Sequence, residues 1–226
     1  MSDVPQIVDG LMRHRFKLLS DEEFKSAEEA ENRVQRERHT AELRAKWNAP
    51  KRHVTVMALD RSGPWGDAET KLKSKLGHGF LVALIGGRGG GKTQLAVELM
   101  RESTRRQGSA LYATAAEFFM AIKATYRKDS TENEMEVIAR FTKPSILVLD
   151  EFGRRSETDW ESNLLFELLD KRYGKMKNTI LLSNQTKEEF LSSVGASLAS
   201  RMQETGGVME CNWPSRREGE QEQNTK

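Results

Sequence analysis

From Phe80 onward, short unbroken apolar runs alternate with longer stretches in which apolar residues recur every three or four positions. A continuous apolar run bounded by turn residues is the mark of a strand buried on both faces, and the longer period marks a helix with one buried stripe. The pattern predicts strands over FLVALIG (80–86), SALYAT (109–114), PSILVLDE (144–151), NTILLSN (178–184) and GGVMECNW (206–213). It predicts helices after Thr93 and over 115–126, 159–175 and 187–202. Strict strand and helix alternation implies right-handed crossovers and a mainly parallel sheet with helices on both faces.

The first fifty residues follow another pattern. Val4, Ile7, Val8, Leu11, Met12, Phe16 and Leu19 lie at helical spacing on one face. Ser20 and Glu23 then form a capping box that starts a second helix over 22–47. This second helix is dense in charge of both signs, with Phe24, Val34, Leu43 and Trp47 as its few apolar anchors, so most of it faces water. A short helical pair builds little core, so the apolar face of the first helix needs a partner, either the rest of the chain or another protein. Residues 48–53 read as a linker, and Ser62, Gly63, Pro64 and Gly66 in DRSGPWGD read as turn chemistry that breaks regular structure. SRREGEQEQNTK at the C-terminus reads as a frayed polar tail.

Composition narrows the function classes. The 226 residues carry a net charge of only +2, which argues against a globally basic DNA-coating protein while leaving local basic patches open. The single cysteine, Cys211, excludes an intrachain disulfide and a cysteine-clustered zinc site, and reads as a small buried apolar side chain. With no signal peptide and no apolar run of membrane-spanning length, the sequence predicts a soluble, cytosolic protein.

The candidate chemistry sits at the ends of the predicted strands. Gly86 to Thr93 fits GxxxxGKT between a strand and a helix, the pattern in which backbone N–H groups and a helix N-terminus cradle a polyphosphate. Gly86, Gly87, Arg88, Gly89, Gly90, Gly91, Lys92, Thr93 and Gln94 are the expected nucleotide contacts. Lys92 reaches the terminal phosphates and the Thr93 hydroxyl binds Mg2+. The strand 144–151 ends in Asp150, a second Mg2+ ligand, and Glu151, which polarises the attacking water. Asn184 ends the next strand, where its amide can hold that water or the γ-phosphate. The acid pair favours ATP hydrolysis. Arg201, late in the fourth of these helices, and Arg216 and Arg217, after the last strand, are candidate γ-phosphate contacts, in this subunit or its neighbour.

Together these motifs resemble the helicase-loader ATPases of the DnaC and DnaI type within the AAA+ superfamily, with IstB-like ATPases as relatives. The resemblance covers residues 50 to 217 and is most specific over SRMQETGGVMECNWPSRR, through Arg201, Met202, Asn212, Trp213, Ser215 and Arg217. It implies that Lys92 and Thr93 are Walker A, Asp150 and Glu151 Walker B, Asn184 sensor 1, Arg201 the arginine finger and Arg217, or its neighbour Arg216, sensor 2. It implies an α/β AAA+ P-loop fold with a mainly parallel five-stranded sheet and no C-terminal helical lid, in a domain spanning 50–217. Residues 1–49 become a helical partner-binding segment and 218–226 a tail. Tyr126, Thr158 and Trp160 match positions at which relatives grip single-stranded DNA; Lys123, Arg127, Lys128, Arg154 and Arg155 lie near enough in sequence to neutralise its backbone.

The expected activity is ATP- and Mg2+-dependent loading of the replicative DNA helicase onto single-stranded DNA by a homo-oligomer, the N-terminal helices docking on the helicase. The first alternative is an IstB-like transposition ATPase that acts with a transposase on duplex DNA. A small-molecule kinase and an adaptor with a vestigial ATPase are more distant rivals.

Overall fold

The structure, a computed structural model, describes residues 21–55, 59–154 and 158–213. The chain divides into two compact units, residues 1–43 and 44–226, and each is taken by itself. The first is described through α1 (Asp21–Ala45), where Val34 is exposed, in keeping with a charged, solvated helix. The apolar face of Ile7, Val8, Leu11, Met12 and Phe16 lies outside the described residues, as do Arg155, Ser215, Arg216 and Arg217.

The second unit holds a five-stranded parallel sheet in the order β2-β3-β4-β1-β5. Its strands are β1 (Leu81–Ile85), β2 (Ala110–Thr114), β3 (Ile146–Asp150), β4 (Asn178–Leu182) and β5 (Gly207–Glu210). Around it lie α2 (Lys51–Val54), α3 (Gly63–Ser74), α4 (Lys92–Arg105), α5 (Ala115–Ala124), α6 (Glu134–Thr142), α7 (Asp159–Gly174) and α8 (Lys187–Thr205). The two-residue period of the strands separates two cores. Leu81, Ala83, Ile85, Leu147, Leu149 and Leu181 face α5 to α8, while Val82, Leu84, Ile146, Val148, Ile180 and Leu182 face α3 and α4. Burial on both faces explains the apolar runs of the three central strands, β3, β4 and β1; the edge strands β2 and β5 are partly exposed.

Four parts of this unit differ from the sequence expectation; the first is the expected linker 48–53, whose second half enters the short helix α2 (Lys51–Val54). DRSGPWGD begins a helix: Ser62 is the N-cap of α3 and Pro64 sits in its first turn, where a missing N–H costs nothing and the fixed φ suits a helix. Trp65 and Leu72 of that helix are buried. Trp47 also departs from expectation, for it lies beyond the end of α1 and is 1% exposed within the second core. Its carbonyl accepts the Tyr112 N–H at 2.7 Å, which extends the sheet pattern past β2. A further helix, α6, starts at a capping box of Asn133 and Glu136 and buries Val137, Ile138 and Phe141.

The base of the sheet is held by Arg172, which is fully buried with no carboxylate among its hydrogen-bond partners. Its guanidinium donates to the carbonyls of Phe141, Thr142 and Pro144 at 2.9 to 3.1 Å, to the Asn178 carbonyl at 2.5 Å and to Thr179 Oγ1 at 2.9 Å. These groups end α6 and begin β4, so a single side chain joins two crossovers; burial lowers its pKa to about 9, still charged at neutral pH. Arg172→Leu leaves these carbonyls unpaired in an apolar setting and is expected to cost about 3–5 kcal/mol. Arg172→Lys, with three donors on a single nitrogen, recovers part of it. Urea denaturation of the two variants beside the parent checks both values.

Candidate functional site

Parallel strands end together, so the carboxyl edge of the sheet gathers whatever follows each strand. β1 runs into the glycine loop, β3 into Asp150 and Glu151, β4 into Ser183 and Asn184, and β5 into Cys211, Asn212 and Trp213. Because β4 lies between β3 and β1, Asn184 emerges between the acid pair and the glycine loop. Its side chain is exposed at that edge. The predicted hydrolytic residues that the structure describes on these strands therefore lie on one edge of the sheet.

The loop is shaped for close approach by a bulky anion. Gly86 has φ +117°, a conformation side chains avoid, and a Cβ there would lie 3.1 Å from Asn212 Oδ1. A Cβ on Gly90 would stand 3.0 Å from the Cys211 carbonyl oxygen. The glycines thus let the loop lie against the segment that follows β5. Arg88 is exposed at the tip and Gly91 caps α4, whose first residues are Lys92 and Thr93. Lys92 Nζ donates to the Gly86 and Gly87 carbonyls at 2.7 and 2.6 Å. Burial lowers the Lys92 pKa, and the nearby Cys211 and Asp150 offset part of that.

Gln94 is turned elsewhere: its amide donates to the His53 carbonyl at 3.2 Å and to Glu98 Oε1 at 3.3 Å, and its oxygen meets His53 Nδ1 at 2.9 Å. Its side chain therefore ties α2 to α4, which leaves its backbone as the part directed to a ligand at the helix start. Cys211 is 2% exposed, and burial pushes its thiol pKa up to about 12, so it stays protonated and inert, the small buried side chain the sequence suggested.

On the acidic strand, Asp150 accepts a hydrogen bond from the Tyr112 hydroxyl on the adjacent strand and one from the Glu151 N–H at 2.6 Å. Burial and the charge of Asp150 push the Tyr112 pKa well above its ordinary value, so the phenol remains a donor. Tyr112 was not singled out from the sequence. The link exists because Tyr112 is registered with Val148, which shares a strand face with Asp150 two residues on. The donor set fits a divalent cation: a carboxylate oriented by a phenol on one strand end, and the Thr93 hydroxyl at the start of the helix that follows β1. Glu151 stands at φ 53°, which turns the chain sharply after the strand, and its carboxylate pairs with Arg154 Nη1 at 2.9 Å.

The contacts of Arg201 lie on α7 and α8, with none to its own glycine loop among the described residues. Its guanidinium pairs with Asp170 Oδ1 at 2.6 Å, donates to Ser197 Oγ at 2.5 Å and lies over the rings of Phe166 and Tyr173. It remains a quarter exposed, on the side formed by α7 and α8.

The candidate DNA residues divide. Tyr126 is 59% exposed, with its hydroxyl donating to Glu134 Oε2 at 2.7 Å. Trp160 itself is half-buried, packed on Phe119 with Lys123 Nζ 5.1 Å from its ring centre, so it belongs partly to the core. Thr158 caps α7 through its Oγ1, which accepts the Glu161 N–H at 3.2 Å.

Comparison with known proteins agrees with this geometry. The family model described as IstB-like ATP binding protein matches residues 68–204, more than half of the chain. The chain belongs to the IstB-like ATP-binding family. It is similar to the replicative helicase loader DnaC of Escherichia coli strain K12, 29% identical over 130 residues, which cover 57% of this chain and 53% of DnaC. It is likewise 29% identical over 147 residues to a putative ATP-binding protein in an insertion sequence of Mycobacterium tuberculosis, covering 63% of this chain and 57% of that protein. The chain thus spans about half the length of the curated relatives it matches. The crystal structure of DnaI has the same fold, with a TM-score of 0.59 at 19% identity over 76% of this chain and 95% of that one. The fold is that of an AAA+ P-loop NTPase, as the sequence predicted, and the family is an ATP-binding one. Among the described residues, no helix is long and apolar enough to cross a membrane.

Proposed function

We propose that this chain hydrolyses ATP and uses the cycle to load a replicative DNA helicase onto single-stranded DNA. The observation that carries the hydrolytic half is the gathering of the glycine loop, Asp150 with Glu151, and Asn184 on the ends of three adjacent parallel strands. Loop N–H groups and the start of α4 bind the phosphates, and Lys92 exchanges the Gly86 and Gly87 carbonyls for phosphate oxygens. Thr93 and Asp150 would hold Mg2+, which when bound neutralises charge on the transferred phosphoryl group. Glu151 accepts a proton from the attacking water, and Asn184 orients that water. Leaving Arg154 is cheap for Glu151, because a half-exposed pair is worth about 0–1 kcal/mol. Arg201, whose contacts lie on α7 and α8, serves the site of the next copy, and Arg217 or Arg216 senses the γ-phosphate.

The helicase half rests on the similarity to DnaC and on the apolar face of Ile7, Val8, Leu11, Met12 and Phe16. Tyr126 is the aromatic best placed to stack on an unpaired base, with Lys123, Arg127 and Lys128 near it in sequence; Trp160 supports it from the core edge. The test uses the full-length chain and its Leu11→Glu, Phe16→Glu double variant. The parent is expected to capture a bacterial replicative helicase in a pull-down, and the double variant to lose capture by at least about tenfold while binding ATP unchanged, since charge at a buried anchor removes its apolar contribution. Equal capture by both would reject the docking segment.

A second reading is favoured by the family model and the insertion-sequence relative, namely an ATPase that acts with a transposase on duplex DNA. Filaments on duplex DNA seen by electron microscopy, with no helicase captured by the parent chain, would select it.

A further inference from the structure

The glycine loop is held from outside by two indoles, and neither belongs to a phosphate-binding motif. Trp213, three residues past β5, donates its indole N–H to the Gly90 carbonyl. Trp65 of α3, 2% exposed, donates its own to the Gly91 carbonyl at 3.3 Å, which also accepts the Leu95 N–H at 2.9 Å as α4 begins. In a trans peptide the carbonyl and the following N–H point in opposite directions. Holding the Gly90 carbonyl toward Trp213 therefore turns the Gly91 N–H away from it, and holding the Gly91 carbonyl back along the helix turns the Lys92 N–H outward from the helix start. A glycine pair has little conformational preference of its own, so something else must keep these two peptides from rotating.

We infer that Trp213 is a positioning residue for phosphate binding: its indole fixes the Gly90–Gly91 peptide so that the Gly91 N–H faces the anion, with Trp65 doing the same for the next peptide. The inference rests on the ATP-binding role of the loop. It also explains the tight packing there, since the Cys211 carbonyl fills the space a Cβ on Gly90 would need and so brings Trp213 within reach of Gly90. The uncharged segment Cys211 to Trp213, which follows β5, thus acts on the loop through backbone orientation.

The test compares Trp213→Phe with Trp213→His in the full chain, with ADP affinity measured by titration calorimetry and the thermal midpoint followed in parallel. Phe keeps a ring of similar shape and loses the donor; His is smaller and keeps one. If the indole acts through its N–H, Phe weakens ADP binding roughly tenfold, about 1.4 kcal/mol, and His recovers most of it. If Trp213 only fills space, Phe binds as well as the parent or better than His, and the inference is overturned. Should Trp213→Phe not fold, the parent protein decides: the Trp213 indole N–H is expected to exchange slowly with solvent in NMR spectra and to shift when ADP is added. Exchange as fast as that of a free tryptophan, or no shift at saturating ADP, contradicts the inference. A parent chain that binds no ADP at all would instead remove the ATP-binding reading beneath it.

Discussion

Glu151→Gln is expected to bind ATP about as tightly as the parent and to hydrolyse it at least a hundredfold more slowly, the range in which loss of a general base falls. The substitution keeps size, and the amide oxygen can still accept from Arg154, so the left-handed turn at Glu151 and its surface pair survive. What is lost is basicity beside the attacking water. Single-turnover hydrolysis measured beside equilibrium binding separates these two effects. A variant that lost binding to the same degree as turnover would mean that Glu151 supports the nucleotide rather than the water. Asp150 is not interchangeable with it, since its carboxylate is already engaged by Tyr112 and by the Glu151 N–H.

Arg201→Ala is expected to have a still larger effect on turnover, about a thousandfold, the lower range for loss of an arginine that stabilises charge on a transferred phosphoryl group. Its effect on folding is expected to be small. The pair with Asp170 is partly exposed and worth about 0–1 kcal/mol, and the contacts with Phe166 and Tyr173 lie on the surface of the α7 and α8 layer. The same weakness lets the guanidinium leave Asp170 for a neighbour. Thermal denaturation and ATP turnover, measured on the same preparation, distinguish a catalytic loss from a folding loss. Turnover within about threefold of the parent would make Arg201 a surface residue of its own subunit.

The centre of the sheet was legible because β1, β3 and β4 are buried on both faces, so that LVALI and ILVL carry no polar position to confuse the period. The start of α3 was not, because Pro64 and Gly66 look like turn residues until Pro64 is placed in the first turn of a helix. Residues 134–142 carry a local helix signal: Asn133 with Glu136 is a capping box directly before Val137, Ile138 and Phe141. The site divides in the same way. Lys92, Thr93, Asp150 and Glu151 declare themselves by local spacing, and the strand order adds that Asn184 emerges between them. Tyr112 on Asp150 and Trp213 on Gly90 depend on which strands are neighbours and in what register, information that no short window of sequence holds. Trp47 misled for the same reason. It follows a charged helix in the chain, yet it is buried in the second core, where its carbonyl pairs with Tyr112.

In the proposed function, Arg201 of a second copy completes the site at the carboxyl edge of the sheet, in a head-to-tail contact. Mixing the Glu151→Gln and Arg201→Ala proteins and measuring ATP turnover tests it most directly. An Arg201→Ala copy keeps its Glu151, and a Glu151→Gln neighbour can supply the missing arginine. An equal mixture of two inactive proteins is then expected to recover about a quarter of the parent's turnover, the share of random contacts that pair an intact site with an intact arginine. A mixture as inactive as its two components, although it assembles as the parent does, would contradict a site shared between copies.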